Sequence, residues 1–169
     1  VLAPDPVICF EHAVFDQRQS IHLEEGASLV AVDWLTSGRR DRGECWDFSR
    51  YFSRLDVHVN GELRLRESLL LDRGSTLLGR SFSTGGFHCV ATLVAFGENV
   101  AARVREGAEA EVGARSSGDV EILCAVSSVR GGVVLRVLGA TPERVEQLLR
   151  RQLAVLASDL GDEPWARKW

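Results

Sequence analysis

Cysteine and histidine are the side chains of this sequence best suited to hold a metal or act as nucleophile and base. The cysteines stand at 9, 45, 89 and 124 and the histidines at 12, 22, 58 and 88. Thiolate and imidazole together suit nickel, copper or zinc. Two pairs lie close in sequence: Cys9 with His12, and His88 with Cys89. A structural metal site needs about four converging ligands. Neighbouring residues of a strand point to opposite faces, so His88 and Cys89 share a metal only across a bulge. The plainer reading of the cysteines is as small buried hydrophobes. There is no Cys-x-x-Cys spacing, and reduced thiols in a cytoplasmic protein are expected.

Nucleophilic catalysis needs a nucleophile, a base and an orienting group held together. No Gly-x-Ser-x-Gly elbow is present, and none of the four histidines has a spacing to serine that marks a triad. A small β-rich hydrolase using His58 or His88 is one alternative. The glycine-rich stretch around Gly74–Gly86 lacks the phosphate-loop spacing and reads as a flexible loop.

Among the acids, Glu44 and Asp56 stand out. Glu44 follows Arg42-Gly43 at a turn, and Asp56 lies between arginines on a polar strand face. A salt-bridge lattice is the ordinary reading of both. A carboxylate that meets a partner or a passing cation is the other. Arg39, Arg42, Arg54 and Trp46 surround them, with Phe48, Tyr51 and Phe52 close by. Arginine and aromatic residues together favour a protein interface over a catalytic cleft.

The formal net charge of −4 gives a nucleic-acid partner no general attraction. The basic cluster Arg39–Arg54 is diluted by acids at 41, 44, 47 and 56. A β-rich nucleic-acid module built on that cluster is a second alternative, whose mark would be a steep loss of affinity with salt. The 169 residues suffice for a single domain with a real core, taken here as residues 1–169. The longest apolar run, Cys89–Phe96, is far short of a membrane span. The chain starts at Val1 and contains no methionine, so it is expected to be a processed chain or a fragment.

The elements that must position these residues are mostly strands. Gln17–Glu24 alternates, Ala27–Leu35 and Phe87–Phe96 are more continuously apolar, and Leu55, Val57 and Val59 share one face. A two-residue Asn60-Gly61 loop would set Val57 opposite Arg64. A bulge or three-residue loop, pairing Val59 with Leu63 and Val57 with Leu65, keeps the apolar residues together. The outer face would then carry Arg54, Asp56, His58, Arg64 and Arg66. Val120–Val126 and Val133–Leu138 flank a second turn. Asn99–Glu106 reads as a short helix. Thr141 as N-cap and Pro142 at the first turn open a longer one, with leucines at helical spacing and Gly161 to close it. The tail after it carries Trp165 and Trp169. The expected fold class is mainly β: stacked or solenoid-like β-sheets with a C-terminal α-helix and one short helix.

Gly38-Arg39, Arg42-Gly43-Glu44, Trp46 with Phe48, and Ser53-Arg54-Leu55-Asp56-Val57 occur in an order and spacing that resembles the urease accessory protein D family, called protein H in some organisms. PDPVICF with Ala13 upstream, Arg136-Val137-Leu138-Gly139 before the last helix, and a basic, Trp-bearing tail are similar to it as well. Two features depart from the pattern. Family members are longer, with an N-terminal part carrying a Pro-Pro-Gly-Gly motif, so the chain resembles their C-terminal part. The family strand usually has Glu where Asp56 stands, a longer reach for the same charge.

The resemblance implies a cytoplasmic, non-enzymatic scaffold or chaperone for urease maturation. Its implied partners are the urease apoprotein and accessory proteins F and G, the last a GTPase that carries nickel. No tightly bound cofactor is implied, only transient nickel on its way to the urease site. Glu44, Asp56, Arg39, Arg42, Arg54 and Trp46 are then the expected interface or nickel-route residues. Whether Cys9, His12, His88 or Cys89 binds nickel is left open by the pattern.

Overall fold

The computed structural model describes residues 1–73, 86–113 and 121–161. Its strands are β1 (Val7–Ile8), β2 (Val14–Leu23), β3 (Leu29–Thr36), β4 (Arg50–Val59), β5 (Glu62–Asp72), β6 (Cys89–Phe96), β7 (Ile122–Val129) and β8 (Gly132–Gly139). The helices are α1 (Glu98–Gly113), α2 (Pro142–Ala154) and the short α3 (Ala157–Leu160). The mainly β expectation holds. The loop expected at Gly74–Gly86 falls, except for Gly86, outside the described residues, as do Val120 and the tryptophan-bearing tail.

Two sheets form. One has the order β1-β3-β6-β8-β7 and the other β2-β4-β5. Strands β3, β6 and β8 are covered on both faces, which is why their sequences are apolar without alternation. Val32, Leu93, Leu135, Leu148 and Leu149 belong to a core between the larger sheet and helices α1 and α2. Ala31, Val57, Leu65 and Val134 belong to a second core between the two sheets. A third gathers Cys9, Leu35, Trp46, Phe48 and Tyr51 at one end. In β2, by contrast, exposed and half-buried residues alternate from Val14 to Leu23. It is an edge strand with one face packed.

The β4–β5 hairpin combines two devices. Asn60 (φ 52°) and Gly61 (φ 79°) make a two-residue turn that pairs Val59 with Glu62, not with Leu63 as expected. Positive φ at both central residues matches the twist of the strands, so the tight turn forms. The expected bulge then takes up the register between Val57 and His58, and Val57 faces Leu65 as the apolar pattern requires. Leu63 thereby comes opposite His58. Arg64 is turned from the outer face expected for it into a groove with Leu23, Val59 and Phe96.

Both helical expectations need correction at their ends. Helix α1 runs to Gly113, past Glu106, because the small residues Ala101, Val104 and Ala108 continue its buried stripe. Gly107 lets α2 approach: a Cβ there would lie 2.8 Å from Gln152 Oε1. Helix α2 opens as expected, with Thr141 Oγ1 accepting from Arg144 N at 3.3 Å and Pro142 in the first turn. It stops at Ala154, however, and Gly161 (φ 68°) closes the separate α3. Leu160 is 47% exposed, so the stripe does not bury it. No described helix is long and apolar enough to cross a membrane.

Candidate functional site

The segment between β3 and β4 holds most of the singled-out residues. Arg40–Arg42 form a single 3-10 turn, and Gly43 (φ 81°) reverses the chain after it. Only a residue free to adopt the left-handed region closes this turn without strain. The reversal returns Glu44 to Arg39. Arg39 donates to Glu44 through Nε at 3.1 Å and through a shorter Nη2 contact. Glu44 Oε2 also accepts from the backbone N–H of Glu11 at 3.2 Å. Glu44 therefore ties the signature segment to the β1–β2 connection. The Arg39 hydrogen bond, opposed by desolvation, holds the Glu44 carboxyl below the usual carboxylate range. On its other side the Arg39 guanidinium lies 4.1 Å from the centroid of the Phe10 ring, within cation–π range.

Trp46 anchors the same segment inward. Its backbone takes φ 58°, its ring is buried and edge-on to Phe48, and its indole Nε1–H donates to Phe87 O at 3.2 Å. Arg42 is exposed at the tip of the turn. An open groove runs beside it, lined by Pro6, Ile8, Arg40, Arg42, His88 and Glu143 among others. Arginine stems and apolar residues make this a mixed surface, and the 55%-exposed Phe10 lies nearby against Arg39.

Asp56 and Arg54 lie elsewhere, on the face of the smaller sheet turned away from the larger. Asp56 accepts from Arg54 Nε at 3.0 and 3.1 Å and from Arg66 Nε at 2.9 Å, with a shorter contact to Arg54 Nη2. The two guanidiniums cover the carboxylate, which is buried although it sits on an outward face. Hydrogen bonds from Arg54 and then Arg66 hold Asp56 far below the usual carboxylate range. Glu44 and Asp56 thus centre two ion-pair groups with no partner in common.

The sequence-adjacent metal pairs do not assemble. Cys9 is buried in the end core with its thiol raised by desolvation, while His12 is exposed (φ 63°) and pairs with Glu11 at 3.3 Å. Cys89 points into the helix-side core, where burial and then Glu143 push its thiol up to about 12. His88 instead meets Cys45: Nδ1 is 3.5 Å from Cys45 Sγ and 3.3 Å from Ser37 Oγ. Burial, then Arg40, lowers the His88 pKa. Among the described residues, no three His, Cys, Asp or Glu side chains form a group able to hold a metal ion.

One polar group escaped the sequence reading. Asp33, in the middle of apolar β3, accepts from Ser53 Oγ and, at 3.4 Å, from Tyr51 OH on β4. A cavity of about 20 Å³ beside them, lined also by Glu67 and Thr92, has room for one water molecule. A charge inside a strand otherwise apolar on both faces was the available signal.

Two stacked sheets backed by helices, with an ion-paired, aromatic-anchored segment beside an open mixed-charge groove, define a β-rich protein with a mixed polar and apolar surface at one end. The chain belongs to the UreD urease accessory protein family, whose model matches residues 1–169. It is 42% identical over 172 residues to urease accessory protein UreD of Sorangium cellulosum, an alignment covering all of this chain and 53% of that protein. It is 37% identical over 166 residues to the UreD of Anaeromyxobacter, covering 97% of this chain and 55% of that one. Urease accessory protein D of Arabidopsis thaliana is 31% identical over 191 residues, covering 98% of this chain and 65% of the plant protein. The chain spans about half the length of the two bacterial relatives.

Proposed function

We propose that this chain acts as a non-enzymatic scaffold in urease maturation. It joins the urease apoprotein to accessory proteins F and G in the cytoplasm while nickel, carried as cargo by the GTPase G, passes toward the urease site. The observation that carries this reading is the family match along the whole chain, residues 1–169, with relatives named urease accessory proteins. The groove beside Arg40 and Arg42 is the docking surface. Arg42 meets the partner, and Arg39, Glu44 and Trp46 hold the segment that presents it.

Arg54 and Asp56 form a second charged patch. Each carboxylate already receives one or two guanidiniums, so a nickel ion would have to displace an arginine to reach it. That geometry favours an interface role for these six residues over a nickel route through them.

The test is co-expression with accessory proteins F and G, followed by a sizing column. The chain runs beside a form extended to the length of the bacterial relatives and beside Arg42→Glu. Co-elution as a larger species, lost in Arg42→Glu with its circular dichroism unchanged, is the expected result. If neither length co-elutes with the accessory proteins, the scaffold reading fails. If Arg42→Glu co-elutes undiminished, the groove is not the docking surface.

A further inference from the structure

We propose that Cys45 is an activated thiol, a modification site that hydrogen peroxide oxidises to a sulfenic acid with His88 as the base. Cys45 Sγ lies 3.5 Å from His88 Nδ1, and Ser37 Oγ lies 3.3 Å from the same nitrogen. Ser37 follows β3, Cys45 lies in the segment before β4, and His88 immediately precedes β6. Three parts of the chain far apart in sequence thus meet at one ring nitrogen.

Backbone hydrogen bonds hold all three residues. Ser37 N–H donates to His88 O at 2.8 Å, His88 N–H to Gly139 O at 2.8 Å, and Trp46 N–H to Ser37 O at 2.6 Å. Cys45 N–H donates to Asp47 Oδ2 at 2.8 Å. The sheet and the signature segment therefore set the contact between thiol and imidazole.

The other cysteines supply the contrast. Cys9 and Cys89 are buried, and burial raises both thiols, which favours the unreactive protonated form. Cys45 and Cys124 are both half-buried, and Cys45 has the imidazole beside it. A thiol attacks as its thiolate, so an adjacent base activates it. Burial and then Arg40 lower the His88 pKa, which keeps the ring neutral and able to accept a proton at neutral pH. The Arg40 charge also stabilises negative charge developing on sulfur and on a leaving oxygen. His88 and Arg40 line the open groove beside the segment, which gives a small solute access. Among the described residues, no third metal ligand joins the pair.

Hydrogen peroxide is small, and its leaving oxygen needs a proton that this arrangement supplies. Nδ1 takes the thiol proton as sulfur attacks one peroxide oxygen. An S–O bond forms and the O–O bond breaks. The proton passes from Nδ1 to the departing hydroxide, which leaves as water. Sulfur is oxidised to the sulfenic acid and the peroxide is reduced. The imidazolium does not have to persist beside Arg40. The reaction needs no partner protein and stands apart from the scaffold role.

The experiment exposes the purified, fully reduced chain to hydrogen peroxide at neutral pH with dimedone present, and follows each cysteine by peptide mass spectrometry over time. His88→Asn, whose amide replaces Nδ1 but is no base, and Arg40→Gln, at an exposed position, run beside it. Cys45 is expected to gain the dimedone adduct at least tenfold faster than Cys124. Its rate should fall at least fivefold in His88→Asn and at least twofold in Arg40→Gln, while Cys124 keeps its own rate. Cys9 and Cys89 report on the fold, because unfolding would open both to iodoacetamide. If they open in His88→Asn, the parent chain and Arg40→Gln decide. A Cys45 rate in the parent no faster than that of Cys124 overturns the proposal. So does an unchanged Cys45 rate in a folded His88→Asn or in Arg40→Gln.

Discussion

The Ser53 hydroxyl on β4 donates to the Asp33 carboxylate on β3, placing a charge in the seam between two otherwise apolar sheet faces. Tyr51 reaches the same carboxylate, and Gln17 on β2 donates to Ser53 Oγ at 3.4 Å. Three strands from two sheets are therefore linked through one acid. Removing Asp33 would leave two buried hydroxyls short of an acceptor. Asp33→Ala is expected to lower stability by about 1.5–3 kcal/mol, the range for hydrogen bonds to a charged group. Asp33→Asn, which keeps one acceptor oxygen, should lose less. Urea denaturation of both variants checks this, and an Asp33→Ala protein as stable as the parent would show the seam to be indifferent.

Asp56 should make stability depend on acid pH. Its folded-state pKa is depressed by Arg54 and then Arg66, so the folded state holds fewer protons than the unfolded one. The contribution is complete above the unfolded value of about 3.9 and is lost as pH falls below it. The gap in stability between the parent and Asp56→Asn should therefore be largest near neutral pH and narrow below about pH 4. Urea titrations at a series of pH values measure the gap. One that stays constant down to acid pH would show that the pair of arginines does not act as described. Glu44, depressed in the same direction, is common to both proteins and cancels.

Gly132 opens β8 against β6, and a Cβ there would lie 2.6 Å from the Ala95 carbonyl oxygen and 3.0 Å from the Phe96 ring. The first of these atoms is backbone inside a hydrogen-bonded sheet and has little room to yield. Gly132→Ala should cost about 1–3 kcal/mol, the range for overpacking a core. Gly131→Ala, with open space around its Cβ but φ 81°, tests backbone conformation separately from crowding. Thermal melts of the two variants should fall for these different reasons, and an unchanged melt in Gly132→Ala would contradict the packing.

Much of the fold was legible in the chain. Alternation located β2, β4 and β5, unbroken apolar runs located β3 and β6, and Thr141-Pro142 marked the start of α2. The demand that Val57, Leu65 and their neighbours share a face predicted the bulge in the hairpin. The loop Arg39–Phe48 and the strand Arg54–Val57 carried the family resemblance, and the family match bears that out.

What local pattern left undecided depends on contacts between residues far apart in sequence. The length of α1 follows from the small-residue face it buries against the larger sheet and α2, and α2 ends before the leucine spacing does. Strand pleat already set His88 and Cys89 on opposite faces, but nothing local showed that the segment before β4 carries Cys45 to His88, 43 residues away. His22 and His58 lie on strands whose parallel pairing has no local signature, and Asp33 finds its partners only when the two sheets close. Side-chain periodicity and turn chemistry act over a few residues, so the sequence by itself determined which strands and helices form and which face of each is apolar. Which strands become neighbours is settled by burying all those faces at once, and only the tertiary structure decided which polar side chains meet.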